Sequence, residues 1–351
     1  MNAFRNNISE NKPRRSSARD RAFSMVELLV VIAIISVLAG LLLVALGGAR
    51  ARAEVTKTRA TMQSFASACD TFQLEHSQYP GIIPETILAA NPAISGTENA
   101  LLHFMGGYSV LSPQDGPSSA AALEYDNFGD CGANILCYTF GTSGWKLKVD
   151  TQRIGEGPLI NGTLYSPYFT PKGDELQVAN GQVGTPQFGG MGGGGIPDLI
   201  DAWGQPIVFV KRSRPIGPLA FENGSGPPQF LYGTMVPYIE SKGLGEFGKD
   251  QMDGGKGSIF NNAAGSPPAD RYATFAQILR HAAFGEPDDP LRGNSQGAYM
   301  LFSAGPDGIY FSIADGPGTP KDTVNNIVDH EFFGNPQVVK EYDDIRIFGG
   351  G

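Results

Sequence analysis

The chain has 351 residues, which is enough for one large domain or two smaller ones. Its 47 glycines and 25 prolines favour short strands joined by turns over a helical bundle, and its 41% of hydrophobic residues exclude wholesale disorder. Residues 1–22 hold six basic and two acidic side chains, a net charge of +4, which leaves −13 for the rest of a chain whose total is −9. Such an acidic body argues against nucleic-acid binding, which needs a basic surface.

The first predicted element is an apolar helix, because residues 28–49 form a run of 22 residues without a charge. About 20 helical residues span the roughly 30 Å hydrocarbon core of a bilayer, so this run is long enough to cross a membrane. The alternatives are a plain signal anchor and an ordinary secretory signal, whose apolar region has only about 7–15 residues. The length of the run favours a membrane helix over a cleaved secretory signal.

A carboxylate, Glu27, stands immediately before the apolar run. A charge at the end of a membrane helix costs a few kcal/mol unless it is paired or reaches the interface. Glu27 therefore either extends into the lipid headgroups or awaits a positively charged partner.

The stretch AFSMVELLVV at residues 22–31 resembles the processing and assembly signature of type IV pilins and type II secretion pseudopilins. The resemblance implies that a prepilin peptidase cuts between Ala22 and Phe23 and methylates the new amino terminus. Glu27 would then match the glutamate at the fifth position of the mature family members. Two departures bear on the cleavage site: the family usually has Gly where this chain has Ala22, and a leader of 22 residues is longer than many.

The new amino terminus supplies the partner that Glu27 needs. A free α-amine has a pKa of about 7.7–8 and is largely cationic near neutral pH. Because an unpaired charge is costly in a filament core of low dielectric, Glu27 of one subunit is expected to pair with the amine of another, which would also fix their axial register.

The orientation of the chain in the membrane is inferred mainly from the resemblance. Basic residues flank the apolar run on both sides, six before it and Arg50, Arg52, Lys57 and Arg59 after it, so charge only slightly favours a cytoplasmic N-terminus. The resemblance implies a single-pass protein of the bacterial inner membrane, with a cytoplasmic N-terminus before processing and its body in the periplasm or on a surface filament.

The helix is predicted to continue through residues 50–79 and to end before Pro80, since no proline interrupts it. One face carries an apolar stripe that needs a sheet to pack against, and Cys69 on it is expected to be a buried small hydrophobe. The stripe consists of Val55, Met62, Phe65, Cys69 and Phe72.

The body, residues 80–351, is predicted to contain short strands at 206–210, 298–302 and 345–348, whereas residues 106–130 have a loop-like composition. We therefore predict an α+β, pilin-like fold with a long N-terminal helix packed on an antiparallel β-sheet. Its parts are a leader (1–22), a transmembrane half (23–49) and an amphipathic half (50–79) of the helix, and the globular domain. Three cysteines are too few for a disulfide scaffold, but Cys131 and Cys137 are close enough to pair in an oxidising compartment.

Two further patches resemble the major pseudopilin of type II secretion systems. The first is a turn around Trp203 in residues 198–206, and the second is residues 299–308, which end in Pro306-Asp307-Gly308. In the major pseudopilin the loop after this strand binds calcium, which takes six to eight oxygen ligands. The resemblance implies Asp307, with Asp315 and Asp322, as ligands; the alternative is a turn that needs no metal.

Two common kinds of catalytic site are not indicated by the sequence: the four histidines are scattered, and the P-loop pattern is missing. The chain is therefore interpreted as a structural subunit of a type II secretion pseudopilus and not as an enzyme. The expected partners are prepilin peptidase, other pilins or pseudopilins and the inner-membrane assembly platform. A type IV pilin of a surface fibre and a membrane-tethered envelope enzyme are the alternatives.

Overall fold

The computed structural model describes residues 24–90, 93–178, 196–220, 226–231, 275–276, 278–281, 293–312 and 342–350, the side chains of 43–45 excepted. The chain divides into two compact units, Met1–Arg50 and Ala51–Gly351, which are described separately. The predicted leader and Phe23 lie outside the described residues.

The described part of the first unit is the beginning of helix α1, which spans Met25–His76. By its length and composition, α1 is apolar and long enough to cross a membrane. The large hydrophobic side chains described between Met25 and Leu46 are exposed, for example Leu29 at 65% and Val37 at 64%.

Helix α1 ends three residues earlier than predicted. Ser77 has a φ of 58°, a left-handed conformation that terminates the helix, and its N–H donates to the carbonyl of Gln73 at 2.7 Å. The sequence predicted that the helix would continue to the residue before Pro80. It ends earlier because Ser77 adopts a left-handed conformation.

The second unit continues with helices α2 (Glu85–Ala90), α3 (Gly96–Met105) and α4 (Ala120–Asn127). Strands β1 (Tyr108–Leu111), β2 (Ile135–Thr139) and β3 (Lys146–Asp150) form an antiparallel sheet in the order β1-β3-β2. The interpretation of residues 106–130 as loop was therefore wrong, since β1 and α4 lie there. Ser119 caps α4 by accepting a hydrogen bond from the N–H of Ala122 at 3.1 Å.

The remaining strands form one more three-stranded sheet and two short hairpin-like pairs. Antiparallel pairs join β4 (Leu159–Ile160) to β5 (Thr163–Leu164) and β6 (Leu176–Val178) to β7 (Pro197–Leu199). The larger sheet has the order β10-β9-β8 and contains β8 (Val208–Lys211), β9 (Tyr299–Ser303) and β10 (Ile345–Gly349). These are the three strands predicted from sequence.

The apolar stripe of α1 packs against this larger sheet and α3. Phe65 is fully buried, with ring centroids 5.3 Å from Phe209 on β8 and 5.2 Å from Phe104 on α3. Cys69 is fully buried in the same cluster. On β9, the hydroxyl of Tyr299 donates to the carbonyl of Ala66 at 3.0 Å. The α+β, pilin-like fold, with a long helix on antiparallel strands, is thereby confirmed.

A lysine of β8 fastens the chain where it leaves α1. Lys211 Nζ donates to the carbonyl of Pro80 at 2.8 Å and lies 3.5 Å from Oε1 of Glu85, and both side chains are largely buried. Burial raises the pKa of the Glu85 carboxyl, and the nearby Lys211 opposes that shift.

Candidate functional site

The N-terminus of α1 carries the first candidate site. Ser24 precedes the helix, and Glu27 is its third residue. The N–H of Ser24 donates to Oε2 of Glu27 at 2.9 Å, and the N–H of Glu27 donates to Oγ of Ser24 at 3.2 Å. These reciprocal bonds are a capping box, which satisfies two backbone donors at the helix start.

This capping box gives Glu27 a partner within its own chain. Sequence analysis considered lipid headgroups and a second subunit for this carboxylate, but overlooked the Ser-x-x-Glu pattern of residues 24–27, which signals a capping box. The positive end of the helix dipole also favours a carboxylate there. Ala22 and Phe23, the predicted processing residues, lie outside the described part of the chain.

The turn between β7 and β8 is organised by one buried carboxylate, Asp201. Its Oδ1 accepts hydrogen bonds from the N–H groups of Trp203 and Gln205, each at 2.9 Å. Its Oδ2 accepts the hydroxyl of Ser303 on β9 at 2.6 Å. Burial raises the pKa of Asp201, and these hydrogen bonds oppose the shift. Asp201 thus ties this turn to the strand that leads into the predicted calcium loop.

The start of that loop forms turns through Gly305 and Gly308, with φ values of 70° and 73°. Oδ1 of Asp307 accepts a hydrogen bond from the N–H of Ile309 at 2.9 Å, a local bond of the kind that Asp makes in turns. This arrangement matches the alternative interpretation, in which the turn needs no metal.

Other acidic groups of the described chain lie close to this turn. The side chain of Asp343 is 3.1 Å from where a Cβ on Gly305 would lie. Both carboxylate oxygens of Asp344 accept from the N–H of Phe311, at 2.9 and 3.0 Å. Burial raises the pKa of Asp344 well above its ordinary range; Asp343 and Asp307 add to the shift and Arg346 opposes it.

The described residues alone do not make a calcium site. Among them, no three His, Cys, Asp or Glu side chains come together in a group that could hold a metal ion. Asp315 and Asp322, the other predicted ligands, lie outside the described residues. The calcium site therefore stays a prediction.

A disulfide joins Cys131 to Cys137 in the structure, with the two Cα atoms 5.7 Å apart. Cys137 lies on β2, so the bond ties the segment after α4 to the smaller sheet. Sequence analysis had left this pairing open.

The N-terminal part of the chain is similar to known proteins. The prokaryotic N-terminal methylation motif matches residues 17–43. The chain is 33% identical over 97 residues to the type II secretion system core protein G of Klebsiella pneumoniae. The aligned residues make up 28% of this chain and 69% of that protein. It belongs to the family of type II secretion system core protein G.

A second member of the core protein G family, from Pectobacterium carotovorum subsp. carotovorum, is 32% identical over 80 residues, or 23% of this chain and 51% of the relative. No solved structure matches the chain. The chain thus shares the N-terminal methylation motif and pseudopilin character of this family, and the aligned segments leave more than two thirds of its length without a counterpart.

Proposed function

We propose that this chain is a structural subunit of a type II secretion pseudopilus, cut before Phe23 by prepilin peptidase and polymerised through α1. The observation that carries the proposal is an exposed apolar helix with a carboxylate, Glu27, in its first turn. The methylation motif over residues 17–43 and the core protein G relatives support it.

In the proposed assembly, the Glu27 carboxylate exchanges its hydrogen bond with Ser24 of its own chain for an ion pair with the amino terminus of a neighbouring subunit. A capping interaction stabilises a helix by about 1 kcal/mol, whereas each unpaired ion buried in a filament core costs several kcal/mol. The intermolecular ion pair is therefore expected to dominate wherever Glu27 becomes buried. Capping by Ser24 keeps the carboxylate satisfied until then.

The proposal includes the partners and location that pseudopilins require. Prepilin peptidase processes the leader, the inner-membrane assembly platform adds subunits, and other copies or other pseudopilins form the filament. The chain crosses the inner membrane once, with a cytoplasmic N-terminus before processing and its body in the periplasm. Its role is structural and involves no catalysis.

Calcium binding at the loop after β9 is a further part of the proposal, with Asp307, Asp315 and Asp322 as ligands. It is supported by Asp343, whose side chain lies beside Gly305 in the same turn and would supply more oxygen atoms. At a calcium concentration 100 times the dissociation constant, binding adds about 2.7 kcal/mol to folding stability. Melting with calcium and with chelator should therefore differ, and Asp307→Asn should reduce the difference; identical curves would contradict the site.

A type IV pilin of a surface fibre is the second candidate, since the N-terminal methylation motif is common to both classes. The core protein G relatives favour secretion.

The assembly proposal is tested by Glu27→Ala and Glu27→Gln in the full chain, with Ser24→Ala as the matched control. Membrane insertion should be unchanged in all three variants, because the apolar run is intact. Sedimentable filament should be lost in both Glu27 variants and largely kept in Ser24→Ala, which removes the cap but leaves the carboxylate. Equal filament yield from wild type and both Glu27 variants would contradict the pairing.

A further inference from the structure

The tight hairpin formed by β4 and β5 carries exposed polar residues at its tip. Ile160 pairs with Thr163 across the hairpin, so only Asn161 and Gly162 form the turn between the strands. Their φ values, 52° and 77°, are both positive, as a type I′ turn requires, and Asn-Gly is the residue pair that favours this turn. The turn conformation accounts for Asn161 and Gly162 but places no demand on the hydroxyl of Thr163.

Asn161, Gly162 and Thr163 also form an Asn-x-Ser/Thr sequence, the acceptor pattern for N-linked glycosylation when x is not proline. The pattern occurs three times in the chain, at Asn7, Asn161 and Asn223, and Asn161 alone lies within the residues that the structure describes. Because so short a pattern also arises by chance, its meaning depends on where the fold places it: a true acceptor lies on a surface loop of an exported chain.

The fold leaves both side chains of the pattern accessible. Asn161 and Thr163 are exposed, and neither side chain makes a hydrogen bond within the part of the chain that the structure describes. Gly162, between them, has no atom within 4 Å of where a Cβ would lie, so a bulky group beside the turn meets open space. The ring of Tyr165, just after the hairpin, lies 5.0 Å from the ring of His76, which places this surface at the C-terminal end of α1.

Two leucines stand exposed beside the same tip. Leu159 is 40% exposed and Leu164 is 65% exposed, and they pair directly across β4 and β5, so their side chains share one face of the hairpin. Ile160 points to the other face and packs against the core of the body. Residues 157–171 contain no charged side chain. Adjacent exposed apolar side chains favour association, which a polar group held beside them would oppose.

We propose that Asn161 is an N-glycosylation site and that its glycan shields the pair Leu159 and Leu164 from other molecules. The donor is a sugar chain linked through pyrophosphate to a lipid. In the transfer, Nδ2 of Asn161 forms a bond to the anomeric carbon of the first sugar, and the bond from that carbon to the pyrophosphate oxygen breaks. The lipid pyrophosphate leaves with the bonding electrons, and a base of the transferase takes the amide proton. This inference rests on the proposed function, because N-linked glycosylation acts on exported chains.

The test is the mass of the tryptic peptide 154–172 from the full chain, extracted from the membranes of its own cells. Trypsin releases this peptide by cutting after Arg153 and Lys172, and its only asparagine is Asn161. The wild-type peptide should carry the additional mass of a sugar chain, which fragmentation removes one sugar at a time. Thr163→Ser keeps the acceptor pattern and should keep the glycan, whereas Thr163→Ala and Asn161→Gln should lose it.

Two controls separate loss of the pattern from loss of the fold. Both Thr163 variants should melt as the wild type does, because the side chain is exposed. Asn134→Gln, at an exposed asparagine outside any acceptor pattern, should leave the glycan in place. Hydroxyl-radical labelling of the same peptide then reports the shielding: Leu159 and Leu164 should be oxidised more in Thr163→Ala than in wild type or Thr163→Ser.

Three results would overturn the inference: a wild-type peptide without sugar, including one changed only by deamidation of Asn161; a glycan that persists in Thr163→Ala; or equal labelling of the two leucines with and without the glycan. Where the same wild-type sample begins at Phe23, the proposed function would still stand, because processing has taken place. A wild-type chain that keeps its leader would instead remove the proposed function, and this inference with it.

Discussion

The two halves of α1 share one helix but have opposite surroundings. Before Arg50 the described hydrophobic side chains are exposed, with Leu29 at 65%. In the second half the apolar stripe is fully buried from Met62 onward, where Met62, Phe65 and Phe72 are enclosed by the body. The second half therefore finds its packing partners within its own chain, whereas the first half presents exposed hydrophobic side chains over a length that can cross a membrane.

The largest contrast is expected from truncating one side chain in each half. Phe65→Ala should lower the free energy of unfolding of the body by about 3–5 kcal/mol, because it opens a cavity among Phe104, Phe169 and Phe209. Leu29→Ala should leave it unchanged. Denaturant unfolding of the full chain in detergent, followed by fluorescence, checks both; equal effects would contradict the division of α1.

Two glycines, Gly106 in the body and Gly47 in the first half of α1, are expected to differ in the same way when they are replaced by alanine. Gly106 ends α3 with a φ of 79°, and a Cβ there would lie 1.9 Å from the carbonyl oxygen of Gly157, so Gly106→Ala should cost at least about 1–3 kcal/mol in stability. Gly47 in the first half has nothing within 4 Å of its position for a Cβ. Gly47→Ala should therefore leave the stability of the folded body unchanged.

In the proposed filament, however, Gly47→Ala should lower the yield, because small residues let helices approach closely in membranes. Sedimentation and melting of the two glycine variants check both statements. A destabilised body in Gly47→Ala, or a stable one in Gly106→Ala, would contradict the assignment.

A smaller effect is expected from pH. The pKa of Asp344 is raised in the folded body, chiefly by burial, so the folded state binds its proton more tightly than the unfolded state does. Its contribution to stability is complete below the ordinary carboxyl pKa and is lost as pH rises through the folded value. Asp344→Asn should remove this part of the pH dependence of melting while keeping an acceptor for Phe311; an unchanged slope would contradict it.

The smallest effect is expected at the helix start. Ser24→Ala removes an N-cap and should destabilise the first turn of α1 by about 1 kcal/mol. Hydrogen exchange of the first-turn amides in detergent should accelerate about fivefold, while the amides of β9 stay protected. Equal exchange in variant and wild type would show that Ser24 does not cap the helix.

Sequence pattern predicted the elements whose side chains repeat regularly. The apolar stripe of α1 and the strands β8, β9 and β10 were predicted because each has a clear hydrophobic pattern. Helix α4 and strand β1 were missed, since Pro113, Gly116 and Pro117 punctuate that stretch as a loop would. Ser119 was the overlooked signal for α4.

At the candidate sites, the sequence could predict local motifs but not contacts between residues that are far apart in the chain. The Ser24–Glu27 capping box spans four residues and could have been read directly from the sequence. Asp344 and Phe311 are 33 residues apart, and Asp201 and Ser303 are 102 apart. Such pairs are brought together only by the tertiary fold, so no spacing rule could have connected them.

The most direct test of the account is the mass of the mature chain's N-terminal peptide, since pairing of Glu27 with a neighbouring amine requires a new terminus four residues before it. Mass spectrometry of the membrane-extracted protein should find a peptide that begins with N-methyl-Phe23. An intact leader, or a terminus created by cleavage near Ala49, would contradict the account.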